Sequence, residues 1–222
     1  MSITRYAEAD LPTVHGPFRL FVYHESGPES AGSGALEHMA IVRGHVDNKS
    51  AVLCRIHSEC WTSEVMGSMK CDCREQLNAA LDKIAAEGVG VLVYLRQEGR
   101  GIGLGNKVRA YALQNIGADT VEANLALGFE ADARSYDVAG EILRDLGVRS
   151  VRLMTNNPLK VAGIEKAGLK VAERLPHWVG ENQHNASYLS VKRRKMGHHP
   201  EPPAAKERPT LSLRVVPPKT RI

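Results

Sequence analysis

The sequence predicts an α/β protein with α+β character at its N-terminus, and three observations carry this. Strand-like and helix-like segments alternate from residue 75 onward, the pattern of a sheet with helices on its faces. Before that point the apolar residues recur at strand spacing, which predicts antiparallel strands. Within the alternating region Val89-Gly-Val-Leu-Val-Tyr-Leu95 is apolar throughout, as expected of a strand buried on both faces.

Phe18–Tyr23 and His38–Val42 read as strands around a Gly/Ser/Pro-rich segment, Ser26 to Gly34, expected to be a mobile hairpin loop. Ala51–His57 follows as a third strand of an antiparallel meander, with Val52, Cys54 and Ile56 on its buried face. Leu77, Ala80, Leu81, Ile84 and Ala85 make one face of a helix that Gly88 stops. A helix carrying Val108, Tyr111 and Ala112 closes near Gly117, and Ser135 is the expected cap of another, with Val138, Ile142, Leu143 and Leu146 inward. Val148–Met154 is a strand, Asn157 caps a helix with Pro158 at its first position, and Leu169–Leu175 is the last strand. Lys192–Gly197 is expected to be a short helix. Residues 199–222, rich in proline, lysine and small side chains, are expected to form a disordered tail.

Composition narrows the functional classes. The 222 residues are 43% hydrophobic and 24% charged, ordinary for a globular protein. No apolar run reaches the ~20 residues of a membrane helix, and the N-terminus does not resemble a signal peptide. Three clustered cysteines and one isolated one argue against a disulfide framework, so a cytoplasmic location is expected. A net charge of +4 with only 5% aromatic residues gives little support to a nucleic-acid partner and suits a small anionic ligand.

Cys60, Cys71 and Cys73 form C-x10-C-x-C. Thiolates bind zinc well, and three protein ligands leave a fourth position for water, as in catalytic zinc sites. The same trio also reads as reduced cysteines in a packed loop, or as a redox group. Cys54, on a strand face, is a small core residue. Three strand ends carry polar groups where α/β sheets bind ligands. They are Arg55, His57, Ser58 and Glu59; then Glu98, Gly99 and Arg100; then Thr155, Asn156, Asn157 and Lys160 at a helix N-terminus. Each has a plain structural alternative: a tight glycine turn, a helix cap, a buried histidine. Asp132 and Arg134 read in isolation as a solvated loop, and Tyr111 as core.

Longer strings carry more. Arg55-Ile-His-Ser-Glu-Cys60, Cys71-Asp-Cys73 with Gln76-Leu77, Arg96-Gln-Glu-Gly-Arg-Gly-Ile-Gly-Leu104, Asn106-Lys107 and Arg109–Gln114 occur in order. Asp119–Asn124, Leu127-Gly-Phe129, Thr155-Asn-Asn-Pro158 and Lys195-Met-Gly-His198 follow. Across roughly residues 4 to 198 the chain resembles GTP cyclohydrolase II, the zinc enzyme that opens riboflavin biosynthesis. The resemblance implies one catalytic domain over residues 1–198, with a mixed sheet flanked by helices. It also implies hydrolysis of GTP to formate, diphosphate and a diamino-pyrimidinone ribosyl phosphate.

Carried over position by position, the resemblance gives Cys60, Cys71 and Cys73 one zinc ion per subunit. Tyr111 falls beside the metal, Arg134 at the proposed nucleophile and Asp132 at the proton acceptor. GTP contacts fall to Arg55, Ile56, His57, Ser58, Glu59, Gln76, Glu98, Gly99, Arg100, Thr120, Thr155 and Lys160. Magnesium on the triphosphate and a homodimer are implied as well. A protonated arginine is a poor nucleophile, so stabilising charge at phosphorus is an equally physical role for Arg134. Arg74, Trp61, Ser63, Glu64 and Gly105 depart from the usual pattern. Arg74 adds a cation beside the metal loop, which is the basis for expecting altered substrate preference in a specialised paralogue.

Overall fold

The computed structural model describes residues 2–26, 36–130, 132–195 and 197–198. Residues 199–222, and all of the Ser26–Gly34 segment except Ser26, lie outside the described residues.

Strands β1 (Ser2–Thr13), β2 (Gly16–Ser26), β3 (Leu36–Arg43) and β4 (Val52–Ser58) precede a short helix α1 (Trp61–Glu64) and α2 (Cys73–Glu87). β5 (Gly90–Leu95), a 3-10 turn (Glu98–Gly101), α3 (Gly103–Asn115), α4 (Thr120–Ala126) and α5 (Asp137–Asp145) come next. The remainder is β6 (Ser150–Met154), α6 (Pro158–Lys166), β7 (Lys170–Leu175) and α7 (Ala186–Lys195). The sheet has seven strands in the order β1-β2-β3-β5-β4-β6-β7.

The N-terminal meander exists, but β4 is not in it. β5 inserts between β3, to which it runs antiparallel, and β4, to which it runs parallel. β4 is parallel to β6, and β6 to β7. The physical reason lies in burial. β4 is covered on both faces almost to its end, which a central parallel strand requires and a meander strand does not. Four parallel strands therefore deliver their carboxyl ends to one edge, at Ser58, Leu95, Met154 and Leu175.

The core lies on both faces of this sheet. One side packs Tyr23, Cys54, Ile56, Val91, Val93 and Leu153 against Ile142 and Leu143 of α5 and Ile164 of α6. The other packs Phe18, Leu53, Leu92 and Met154 against Ala80 and Ile84 of α2. Cys54 is fully buried, and burial pushes its thiol up to about 12, so it is the core residue expected.

Helix ends follow local chemistry. Gly88 ends α2 in the left-handed conformation, its N–H reaching the carbonyls of Ile84 and Ala85. Asn157 caps α6, its side chain accepting from Leu159 N at 2.9 Å, with Pro158 behind it. The expected Ser135 cap is displaced: α5 begins at Asp137 with Tyr136 as its cap residue. Ser135 Oγ instead accepts from Asp137 N at 3.3 Å in the preceding turn. β1 and α4 were not among the expected elements. β1 carries scattered apolar residues but is exposed over residues 4–12, so no buried face marks it. Pairing to β2 and the Arg5–Asp145 ion pair at 2.6 Å hold it in place. α4 carries a capping box in which Asp119 accepts from Val121 N and Glu122 N, while Glu122 returns a bond to Asp119 N.

Candidate active site

The site is assembled at the carboxyl edge of the parallel strands. β4 ends at Ser58, and Cys60, two residues on, is the cap residue of α1. Cys73 is the first residue of α2, and Cys71 lies two residues before it. The three sulfurs all lie within 4.8 Å of one another, and Cys60 Sγ to Cys71 Sγ is 3.6 Å. A tetrahedral site with Zn–S of about 2.3 Å separates its sulfurs by about 3.8 Å. All four cysteines are free thiols, so the cluster has the spacing and donor chemistry of a metal site. Its charge environment agrees. Hydrogen bonds from Cys71 and Cys73, aided by the Lys107 ammonium, draw the Cys60 thiol well below its ordinary range. Lys107 Nζ is 3.1 Å from Cys60 Sγ and 2.8 Å from Glu98 Oε1.

Two adjoining cavities open beside the sulfurs. Ser58, Cys73, Arg100, Arg134 and Tyr188 line both. The first is walled by the metal loop, the 3-10 turn and α3–α4, and takes in Glu59, Glu98, Gly99, Tyr111 and Thr120. Val108, expected on the same buried face as Tyr111, is 53% exposed. Tyr111 turns to the cavity, its ring 4.8 Å from Lys70 Nζ. Burial, against the pull of Lys107, lifts its hydroxyl to about 12, so it is a neutral donor at physiological pH. Gly99 and Arg100 both adopt left-handed conformations, at φ 63 and 64. For arginine this is a strained geometry. Ala133 N donates to Arg100 O at 3.2 Å, tying the turn to the segment that carries Asp132 and Arg134.

The second cavity gathers Arg55, Arg100, Arg134, Lys160 and Lys192, with Asp72 the one acid in its lining among the described residues. Burial lowers Arg55 to about 10. Lys160 is driven well below its ordinary value by burial and by the nearby Arg55, Arg134 and Lys192. Its Nζ donates to Ile56 O at 2.9 Å. Arg55 donates to Met154 O at 2.7 Å and to Gln76 Oε1. Arg134 grips Asp132 with two bonds, at 2.7 and 2.6 Å. That pairing outweighs burial: it keeps Asp132 ionised and Arg134 firmly protonated.

Most of the expected site residues therefore meet at one place. Ile56 does not; its side chain is in the core and only its carbonyl faces Lys160. Asp132 stands behind Arg134 and lines neither cavity. Several others are engaged internally. Glu98 accepts from Trp61 N, Gly99 N and Lys107 at 2.7, 2.7 and 2.8 Å, and Glu59 pairs with Arg96 at 2.9 Å. Thr155 Oγ1 accepts from Asn157 N at 3.0 Å, beneath the α6 cap. His57 is buried, with Nε2 2.7 Å from Glu64 Oε1 and its ring stacked on Tyr94. Arg74 lines neither cavity, and its guanidinium lies beside Gly67 in the metal loop. Lys107, Tyr188 and Lys192 were missed as site residues. Lys107 sits in the quoted Asn106-Lys107 string, but Lys192 opens a basic run that reads as surface.

A sulfur trio at the carboxyl edge of a mixed α/β sheet, opening on a strongly cationic cleft, defines a metal-competent protein of the α/β class with room for a polyanion. The family model for GTP cyclohydrolase II matches residues 4–176, and the chain belongs to that family. It is 51% identical over 197 residues to the GTP cyclohydrolase-2 of Actinobacillus succinogenes, covering 89% of this chain and 88% of that one. With the GTP cyclohydrolase-2 of Azotobacter vinelandii the identity is 52% over 198 residues, covering 89% and 92%. The riboflavin biosynthesis protein RibBA of Bacillus subtilis is 52% identical over 197 residues, which span 88% of this chain and 48% of that protein. Among the described residues no helix is long and apolar enough to cross a membrane.

Proposed function

We propose that this chain is a hydrolase that converts GTP to 2,5-diamino-6-(5-phosphoribosylamino)pyrimidin-4(3H)-one, formate and diphosphate, the first step of riboflavin biosynthesis. The observation that carries the reading is the junction of the cavities, where a thiol cluster abuts a wall of Arg55, Arg100, Arg134, Lys160 and Lys192. Family membership and the names of relatives about half identical over most of their length support the same activity.

Cys60, Cys71 and Cys73 would hold zinc, which when bound supplies a Lewis acid and a water of lowered pKa. The purine lies in the first cavity, with its C8 edge toward the sulfurs. Tyr111, neutral and half sheltered, donates a proton to a purine nitrogen as the imidazole ring opens. Ser58, Glu59 and Glu98 through Arg100, with Thr120, make the polar wall that orients the base, while Gln76 faces the second cavity. The triphosphate occupies the second cavity. A polyanion there returns Lys160 toward its charged form, because it supplies the countercharge that burial beside Arg55 and Arg134 withholds.

Arg134 faces the α-phosphorus. Its protonated state, held by Asp132, suits stabilisation of charge developing at the phosphoryl oxygens better than nucleophilic attack. Thr155 and the N-terminus of α6 add neutral donors on the same side. Magnesium bound to the triphosphate, a homodimer and a cytoplasmic setting belong to the same reading. The exposed Val65 and Met66 of the metal loop and Val108 and Ile116 on or next to α3 offer apolar area for a second copy.

Incubation of the zinc-loaded protein with GTP and magnesium tests the proposal. Formate and diphosphate should appear together with a diamino-pyrimidinone of the expected mass. Intact GTP after prolonged incubation overturns it.

A further inference from the structure

The last helix reaches the metal loop through the side chain of Lys192. α7 lies beyond residue 176, where the family match ends, and Leu189 and Val191 seat it on the body at 1% and 5% exposure. Tyr188 and Lys192 are four residues apart and so share another face of the helix. Lys192 Nζ lies 4.5 Å from the centre of the Tyr188 ring and 2.7 Å from Asp72 Oδ1. Asp72 is 1% exposed, stands between Cys71 and Cys73, and is the residue from which α2 starts. Its other oxygen accepts from Gln76 Nε2 at 2.5 Å, and Gln76 Oε1 accepts from Arg55. A continuous path thus runs from α7 through the metal loop to the cationic cavity.

The charges explain why this path needs its lysine. Three thiolates on a zinc dication carry a net negative charge, and Asp72 adds a buried carboxylate one residue away on either side. Lys107 offsets part of this charge at Cys60, and Lys192 pairs with Asp72. Without Lys192 a buried carboxylate beside the thiolates is electrostatically unfavourable and the Cys-Asp-Cys turn loses its fixed point. Second-layer partners of this kind orient metal ligands and tune their basicity.

We propose that Lys192 is a positioning residue for the metal centre: held against Asp72, it fixes the spacing of Cys71 and Cys73 and offsets the negative charge of the thiolate cluster. The proposal rests on the reading of the cysteine trio as a zinc site. It assigns the basic run at the end of α7 an inward function at its first residue.

The test uses the full chain and zinc itself. Zinc affinity is measured by competition with a chromophoric chelator, and the thiolate-to-metal absorption is recorded after cobalt(II) substitution. Lys192→Met should weaken zinc binding about 10–100-fold and shift the cobalt band, while Lys192→Arg restores most of the affinity. Asp72→Asn should weaken it similarly, and the double variant should lose little more than either single one, because the two residues act as one unit. If Lys192→Met does not fold, the loss of affinity in Asp72→Asn carries the test. Wild-type affinity and an unshifted cobalt band in Lys192→Met, even with a lowered Tm, reduce Lys192 to a helix prop and overturn the proposal. So does a raised KM for GTP with metal affinity unchanged, which makes Lys192 a substrate contact. A wild-type chain that takes up no zinc overturns the metal reading and this assignment together.

Discussion

The two cavities that meet at Cys73 and Arg134 are built in contrasting ways. The first is made mainly by stretches within residues 58–124, the metal loop, the 3-10 turn and α3–α4, with Arg134 and Tyr188 added from further along the chain. The second is closed by partners far apart in sequence. Arg55 binds Met154 O across 99 positions, Lys160 binds Ile56 O across 104, and Lys192 binds Asp72 across 120. One cavity is therefore a product of local motifs and the other a product of sheet topology. The chemistry divides along the same line, with soft donors and a neutral phenol in the first and fixed positive charge in the second.

That division can be broken by experiment. The largest effect is expected from Cys71→Ser, which should lower formate release on the order of 10³-fold or more while diphosphate release falls less. Equal losses of the two products would merge the cavities into one functional unit. Arg134→Gln should give the converse, slowing diphosphate release about 10²–10³-fold with a smaller effect on formate when the two are assayed separately. A variant that loses formate release first would place Arg134 at the wrong end. Tyr111→Phe should slow formate release about 10²-fold and spare diphosphate. Matching losses of both products would remove the tyrosine from the ring-opening side.

The smallest effect concerns stability below the cationic cavity. His177 is 1% exposed, and its Nε2 donates to Gln76 O at 2.9 Å, leaving Nδ1 buried without a partner. Burial, with the nearby Arg55, lowers its pKa from 6.5 to about 3. The unfolded chain then binds more protons than the folded one between those values, so stability rises with pH across that window. It should be fully present above about pH 6.5 and lost progressively toward pH 3. The loss approaches about 1.4 kcal/mol per pH unit, or about 2 kcal/mol between pH 6.5 and 5. Urea midpoints for wild type and His177→Gln over this range provide the check, and equal pH slopes would refute the assignment.

The same contrast explains what could be read from sequence. Cys60, Cys71, Cys73 and the Glu98–Arg100 turn were legible because their chemistry is written in short stretches of sequence. Asn157 and Pro158 gave the start of α6 for the same reason. Lys192 was not legible, since a basic run looks the same whether its first residue faces water or a buried aspartate. The place of β5 was hidden too. A continuous apolar run says that a strand is central but not which neighbours it will take. β1 escaped because an edge strand held by backbone pairing needs no apolar face, whereas α4 had a readable signal in Asp119-x-x-Glu122.

The insertion of β5 between β3 and β4 has a consequence for the chain as it leaves the ribosome. β1 to β3 can pair among themselves as soon as Arg43 has emerged, but β3 gains its second neighbour only when Gly90–Leu95 follows. Until then the nascent ladder offers a bare flank of backbone donors and acceptors to any strand nearby. Translation that stalls between those points is therefore expected to leave a half-built sheet open to pairing with its own copies.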